Sequence, residues 1–189
     1  YELSMGLAIL SVIVISGSFS LSEIVNQQYN HWNGWRWNII LQPIGFIIFF
    51  ITSLAETNRA PFDLPEAEQE LVSGYNTEYT GMRFGMFFLA EYANMATAAA
   101  IVTLLFLGGW TLPFDPAIIG LQSGTWQLAI FQFLVFVFKI YVLICIVIWI
   151  RWTIPRFRYD QLMNLGWRVL LPLSIVNFIL TTFVVLLVK

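Results

Sequence analysis

Only 11% of this 189-residue chain is charged, so its ionisable side chains mark the places where chemistry can occur. Lys139 stands near the middle of a long apolar run from Trp126 to Ile150. At either end the interface is too far for its four-carbon stem to reach by snorkelling, so the ammonium must face protein or water. Glu91 lies a short way into another apolar run and is followed by Tyr92 and Asn94, a polar seam on an otherwise apolar helix. Glu2 and Glu56 flank two further runs. An ionisable group at the centre of a membrane helix costs about 2.5–3.5 kcal/mol, so it is retained for a purpose and partnered. Two uses fit: a charge pair that fastens helices, or a proton path of the kind that pumps build from Asp, Glu and Lys. Lys139 and Glu91, taken with Glu56 and the loop acids below, point to the path, because burial and neighbouring charge bring such groups toward exchange near neutral pH.

A second concentration of charge lies between Glu56 and Arg83, where Asp63, Glu66, Glu68, Glu70 and Glu78 crowd together with Arg59 as the nearby cation. Pro65 suits a first helical turn, Glu66 the positive end of the helix dipole, and Gly74 a helix end, which predicts a short helix from Pro65 to Ser73. Glu66 and Glu70 then face each other four residues apart, a like-charge pair that folding alone does not ask for. A third group, Arg151, Arg156, Arg158 and Asp160, sits in a later loop, where the arginines also serve as ordinary membrane anchors.

Composition narrows the classes. With 59% hydrophobic residues and a mean hydropathy of +0.77, too little polar surface remains for a soluble domain. A net charge of −2 and a pI near 5.3 give nothing to attract nucleic acid. One cysteine, Cys145, and one histidine, His31, provide no disulfide and no ordinary ligand set for an iron–sulfur cluster, haem or zinc. Any redox centre that this protein serves belongs to a partner. His31 reads as a turn residue, Cys145 as core, and the run from Phe131 to Phe138 as a lipid-facing helix.

The elements that position these groups are apolar segments of membrane-spanning length. Five are expected: Leu3 to Leu21, Ile39 to Ala55, Phe84 to Leu107, Trp126 to Ile150 and Val169 to Val188. The fold class is therefore all-α, a multi-helix transmembrane bundle forming one domain over 1–189. Charged loops lie at 56–83 and 151–168, with a Trp-rich turn from His31 to Trp37 and a Gly/Pro turn from Gly108 to Gly124. The first residue is Tyr1 and an apolar run follows at once, with no basic leader and cleavage site, so the chain is expected to be truncated upstream and not secreted. Five crossings put both charged loops on one side with Arg59, Arg83, Arg151, Arg156, Arg158 and Arg168, against Arg36 and Lys189 opposite; that side is cytoplasmic or matrix-facing by the positive-inside rule.

The string ETNRAPFDLPEAEQELVSGYNTEY from Glu56 to Tyr79, continued by FFLAEY from Phe87 to Tyr92, resembles the signature of the H-type membrane subunit of respiratory complex I, the proton-pumping NADH:quinone oxidoreductase. WIRWTIPRFRYDQLM from Trp149 to Met163 is similar to that family's later loop, and Lys139 stands where the family carries an intramembrane lysine. The resemblance implies about three further upstream helices and a place at the quinone-binding junction where the membrane and peripheral arms meet. It implies no cofactor held by this chain, quinone (ubiquinone or menaquinone) as substrate, and NADH, FMN and iron–sulfur clusters in partner subunits. The implied partners are peripheral-arm iron–sulfur and quinone-site subunits, small membrane subunits and antiporter-like subunits, in a bacterial inner membrane or an organelle's energy-transducing membrane. It assigns Arg59, Asp63, Glu66, Glu68, Glu70, Arg151, Arg156, Arg158 and Asp160 to the quinone cavity and its coupling loops. Glu2, Glu56, Glu78, Glu91 and Lys139 fall to the proton path. The equivalent membrane subunit of an energy-converting hydrogenase is the alternative reading, since it shares the bundle and the charged loops.

Overall fold

The structure, a computed structural model, describes residues 1–30, 37–57, 61–63, 79, 81–112 and 126–188. All regular structure among them is helical: α1 (Glu2–Ser16), α2 (Leu21–Asn30), α3 (Asn38–Leu41), α4 (Pro43–Glu56), α5 (Met82–Phe106), α6 (Trp126–Thr153), α7 (Tyr159–Asn164), a π-helical stretch (Leu165–Leu170) and α8 (Leu171–Val188). The short helix expected from Pro65 to Ser73 lies outside the described residues.

Helices α5 and α6 follow the expected apolar segments closely, because neither contains an internal proline. The other three depart from expectation for local backbone reasons. The first segment is not one straight helix: it ends at Gly17, whose φ of 69° closes α1 through an N–H bond to Ile13 O, and α2 leaves at 57°. Glycine takes this left-handed conformation without the Cβ clash that hydropathy cannot register. The second segment is divided at Gln42, because Pro43 opens α4 and disfavours helical geometry in the residue before it. The loop expected over 151–168 is largely helical: Pro155 interrupts the chain after α6, but the helix restarts at Tyr159 and runs through the π-helical stretch into α8. The polar residues of α7 hid it from an apolar criterion, although Gln161 Oε1 accepts the Arg158 N–H at its start.

Three helices are long and apolar enough to cross a bilayer: α5, α6 and the continuous stretch Tyr159–Leu187. The bent pair α1/α2 makes a fourth, whereas α4 is a shorter apolar helix of 14 residues. The outward faces of α6 and α8 carry exposed Phe133, Phe138, Tyr141, Ile179, Phe183 and Leu186. An apolar exterior of this extent must be covered by lipid or by other membrane helices, and the chain is a helical membrane protein. Cys145, expected in the core, faces outward on α6.

Inside, α1 packs on both α4 and α8, and α5 on α6. Ala8, Val12, Ile48, Phe49, Val102 and Phe106 form the central contact, while Leu54, Phe62, Met95, Val147 and Leu162 form a second cluster toward the charged loops. Small residues let backbones approach: a Cβ at Gly45 would meet the Gln42 side chain at 2.9 Å and the Asn177 side chain at 3.4 Å.

Candidate functional site

The two charged loops meet. Phe157 N–H donates to Pro61 O at 3.1 Å, the Phe62 and Phe157 rings stack with centroids 5.5 Å apart, and Arg156 Nη2 lies 3.6 Å from Asp63 Oδ2. The Asp63 side chain is 2% exposed and that of Arg156 is 41% exposed, so a buried carboxylate is held by a cation that still reaches polar surroundings. A carboxylate so placed depends on its partners, because desolvation disfavours its charge and a neighbouring cation restores it.

Tyr1, just before α1, closes the junction. Tyr1 donates its hydroxyl to Leu162 O at 2.9 Å and sets its ring 6.3 Å from that of Phe62, with Gly166 close against it. Burial pushes the Tyr1 phenol above its ordinary range. Tyr1, Phe62 and Phe157 were not singled out by sequence reasoning, since an aromatic beside a loop has no distinguishing signature until the partner loop is known.

Around this junction, Glu2 is exposed in the first turn of α1 and Glu56 is exposed at the end of α4. Arg151 is half-buried in the last turn of α6, where a cation complements the helix dipole. Arg158 and Asp160 are exposed at the start of α7. A recess between α4, α5 and α6 is lined by Phe50, Ser53, Thr57, Met95, Val102 and Leu143, and is mostly apolar. Arg59, Glu66, Glu68, Glu70 and Glu78 lie outside the described residues.

Lys139 is set apart from this cluster. Its ammonium reaches across from α6 to the carboxyl-terminal end of α5 and donates to Leu107 O at 2.7 Å, Gly109 O at 2.9 Å and Thr111 O at 2.6 Å, with the Trp37 ring 4.6 Å away. The same helix end is capped from other sides: Gln28 donates to Leu104 O and Leu105 O, and Asn38 Nδ2 to Leu105 O at 2.8 Å. A helix that stops in apolar surroundings leaves its last carbonyls without partners, and three side chains from three elements supply them here. Glu91 is half-buried on α5, sixteen residues before Leu107, or about 24 Å along the helix axis. The structure therefore joins Asp63 to Arg156 and keeps Glu91 and Lys139 apart. Among the described residues no group of three or more His, Cys, Asp or Glu side chains could hold a metal ion.

Residues 1–182 match the family described as NADH dehydrogenase. The chain is similar to the H-type subunit of the NADH-quinone oxidoreductase of Salinibacter ruber, 51% identical over 95% of this chain and 53% of the relative. It is also similar to subunit 8 of the NADH-quinone oxidoreductase of Rhodothermus marinus, 51% identical over 95% of this chain and 54% of the relative. An H-type NADH-quinone oxidoreductase subunit of Geobacter sulfurreducens is 54% identical over 98% of this chain and 48% of the relative. The chain thus spans about half the length of the curated relatives it matches.

Proposed function

Given that the chain belongs to the NADH dehydrogenase family, we propose that it is the carboxyl-terminal part of the H-type membrane subunit of a proton-pumping NADH:quinone oxidoreductase, where it helps to form the quinone cavity and couples quinone reduction to proton translocation. The observation that carries this reading is the buried Asp63 carboxylate held across the two charged loops by Arg156. Bacterial relatives named as subunits of that complex support it, and suggest a bacterial inner membrane and partners from the rest of such a complex.

In this reading Arg59, Asp63, Glu66, Glu68, Glu70, Arg151, Arg156, Arg158 and Asp160 border the quinone headgroup's cavity. The chain holds no redox centre; NADH, FMN and iron–sulfur chemistry belong to partner subunits. Reduction of a quinone by two electrons takes up two protons, and anionic character develops before they arrive. Asp63 responds first, because new negative charge nearby opposes its ionised form and competes for Arg156. Loosening of that pair frees the Pro61–Phe157 contact to move, and the change reaches Glu2 and Glu56 at the adjacent helix ends. Glu2, Glu56, Glu78 and Glu91 then pass the protonation signal into the membrane, with Lys139 as the far member of the path.

The test is Asp63→Asn in the full-length subunit within the intact complex. Inhibitor-sensitive quinone reduction and pumping are expected to fall about tenfold or more, while NADH oxidation by a hydrophilic acceptor stays unchanged. Normal quinone-coupled rates in the assembled variant would sink the proposal.

A further inference from the structure

An ammonium carries three N–H donors and no acceptor. Lys139 places all three on backbone carbonyls, those of Leu107, Gly109 and Thr111. A neutral amine would have two donors and a lone pair, and that lone pair would face a carbonyl oxygen, an arrangement with one hydrogen bond lost and two acceptors opposed. The remaining side is covered by the Trp37 ring at 4.6 Å, whose π face also favours a cation. Carbonyls at the end of a helix carry the negative end of its dipole. Among the described residues, the groups that contact the ammonium are partial negative charges fixed in the backbone or in a ring.

The backbone is shaped to hold this arrangement. Gly108 and Gly109 have φ of 70° and 54°, and a Cβ at Gly108 would stand 2.8 Å from both Thr111 Oγ1 and Trp37 Nε1. Thr111 returns both its N–H and its hydroxyl to Gly108 O, at 2.9 and 2.7 Å, and so turns its own carbonyl toward Lys139. The oxygens lie 2.6–2.9 Å from the nitrogen, longer than the roughly 2.0–2.1 Å that magnesium demands. Such carbonyl clusters otherwise replace the hydration shell of an alkali cation.

We propose that the 107–111 turn and Trp37 form a monovalent-cation cage filled in cis by the ammonium of Lys139, so that Lys139 is a fixed positive charge and positioning residue and not a carrier that releases its proton. This deepens the proton-path reading by giving Lys139 its role there, and it rests on that reading only for the activity readout.

The experiment uses the full-length subunit in the intact complex. Lys139→Arg remains charged at every working pH but places a larger, planar head in a cage fitted to an ammonium, so a fixed-charge role predicts that the complex that does assemble keeps a membrane potential in proportion to its quinone reduction. An assembled Lys139→Arg complex that reduces quinone but builds no potential would overturn the proposal, because a proton carrier is what arginine cannot replace. Lys139→Met empties the cage; its quinone-coupled potential should drop about tenfold and recover several-fold with methylammonium, but not with tetramethylammonium, which has no N–H donor. Membrane potential is the readout because weak amines collapse a pH gradient. Wild-type behaviour of Lys139→Met without added cation, or no recovery with methylammonium, overturns the cage. If neither variant assembles, methylammonium in the growth medium should restore assembly of Lys139→Met, and failure to do so counts against the proposal equally. Absence of NADH:quinone activity in the wild-type complex would instead remove the complex assignment and leave the assembly test of the cage in force.

Discussion

Among the described residues, Asp63 and Lys139 are two charges in apolar surroundings that are held in opposite ways. At the loop junction the buried Asp63 faces a side-chain cation, Arg156, that is 41% exposed and can turn toward water. At the end of α5, Lys139 faces backbone carbonyls of a turn fixed by two positive-φ glycines. A side-chain partner can leave, so its charge pair can switch; a backbone partner can leave only if the turn unfolds. The contrast separates a pairing between mobile side chains from one that the backbone fixes.

The largest expected effect falls on the fixed part. Gly108→Ala combines a left-handed backbone with a Cβ at 2.8 Å from Trp37 Nε1, and strain of this kind costs about 1–3 kcal/mol before any loss at Lys139. The variant complex should show much reduced assembly on a native gel, with Gly6→Ala, which meets nothing within 4 Å, as an unaffected control. Wild-type assembly of Gly108→Ala would mean that the turn is not the rigid element described. An intermediate effect is expected for the switchable part. Arg156→Gln takes a cation from Asp63, and because the arginine is partly exposed the cost is about 1–2 kcal/mol, below that of breaking a fully buried pair. Thermal scans of the assembled complex should show a modest shift with a larger drop in quinone reduction; equal loss of both would make the pair purely structural.

The smallest effect belongs to Tyr1→Phe, which removes the hydrogen bond to Leu162 O, about 1 kcal/mol. Its pH dependence has a definite sign. The folded phenol titrates above its ordinary value of 10.0, so its contribution is fully present below about pH 10 and is lost as pH rises through the higher folded value. The phenylalanine variant should therefore lose less stability than the wild type in alkaline thermal scans, and parallel curves would contradict the burial of this group.

The two parts were not equally legible in the sequence. The isolation of Lys139 in an apolar run and the crowding of acids after Glu56 are visible in residue types, because an expensive charge stands out against its background. The bounds of α5 and α6 were visible for the same reason, continuous hydropathy without an internal proline. What Lys139 binds was not, since backbone carbonyls have no residue signature and Gly108-Gly109 read only as a turn. The bend after Gly17 and the helix restart at Tyr159 depend on backbone dihedrals and capping that apolar patterning does not record. The pairing of Asp63 with Arg156 needed the fold, because ninety-odd residues separate them and each loop offers several candidates.

The most direct test of the central claim, that the Asp63–Arg156 pair links the loops for quinone coupling, is a double-mutant cycle of Asp63→Asn and Arg156→Gln read as inhibitor-sensitive quinone reduction by the assembled complex. The double variant is expected to be no more impaired than Asp63→Asn alone, since the second substitution removes a partner already lost. Losses that multiply would show that the two residues act independently, and would contradict the account.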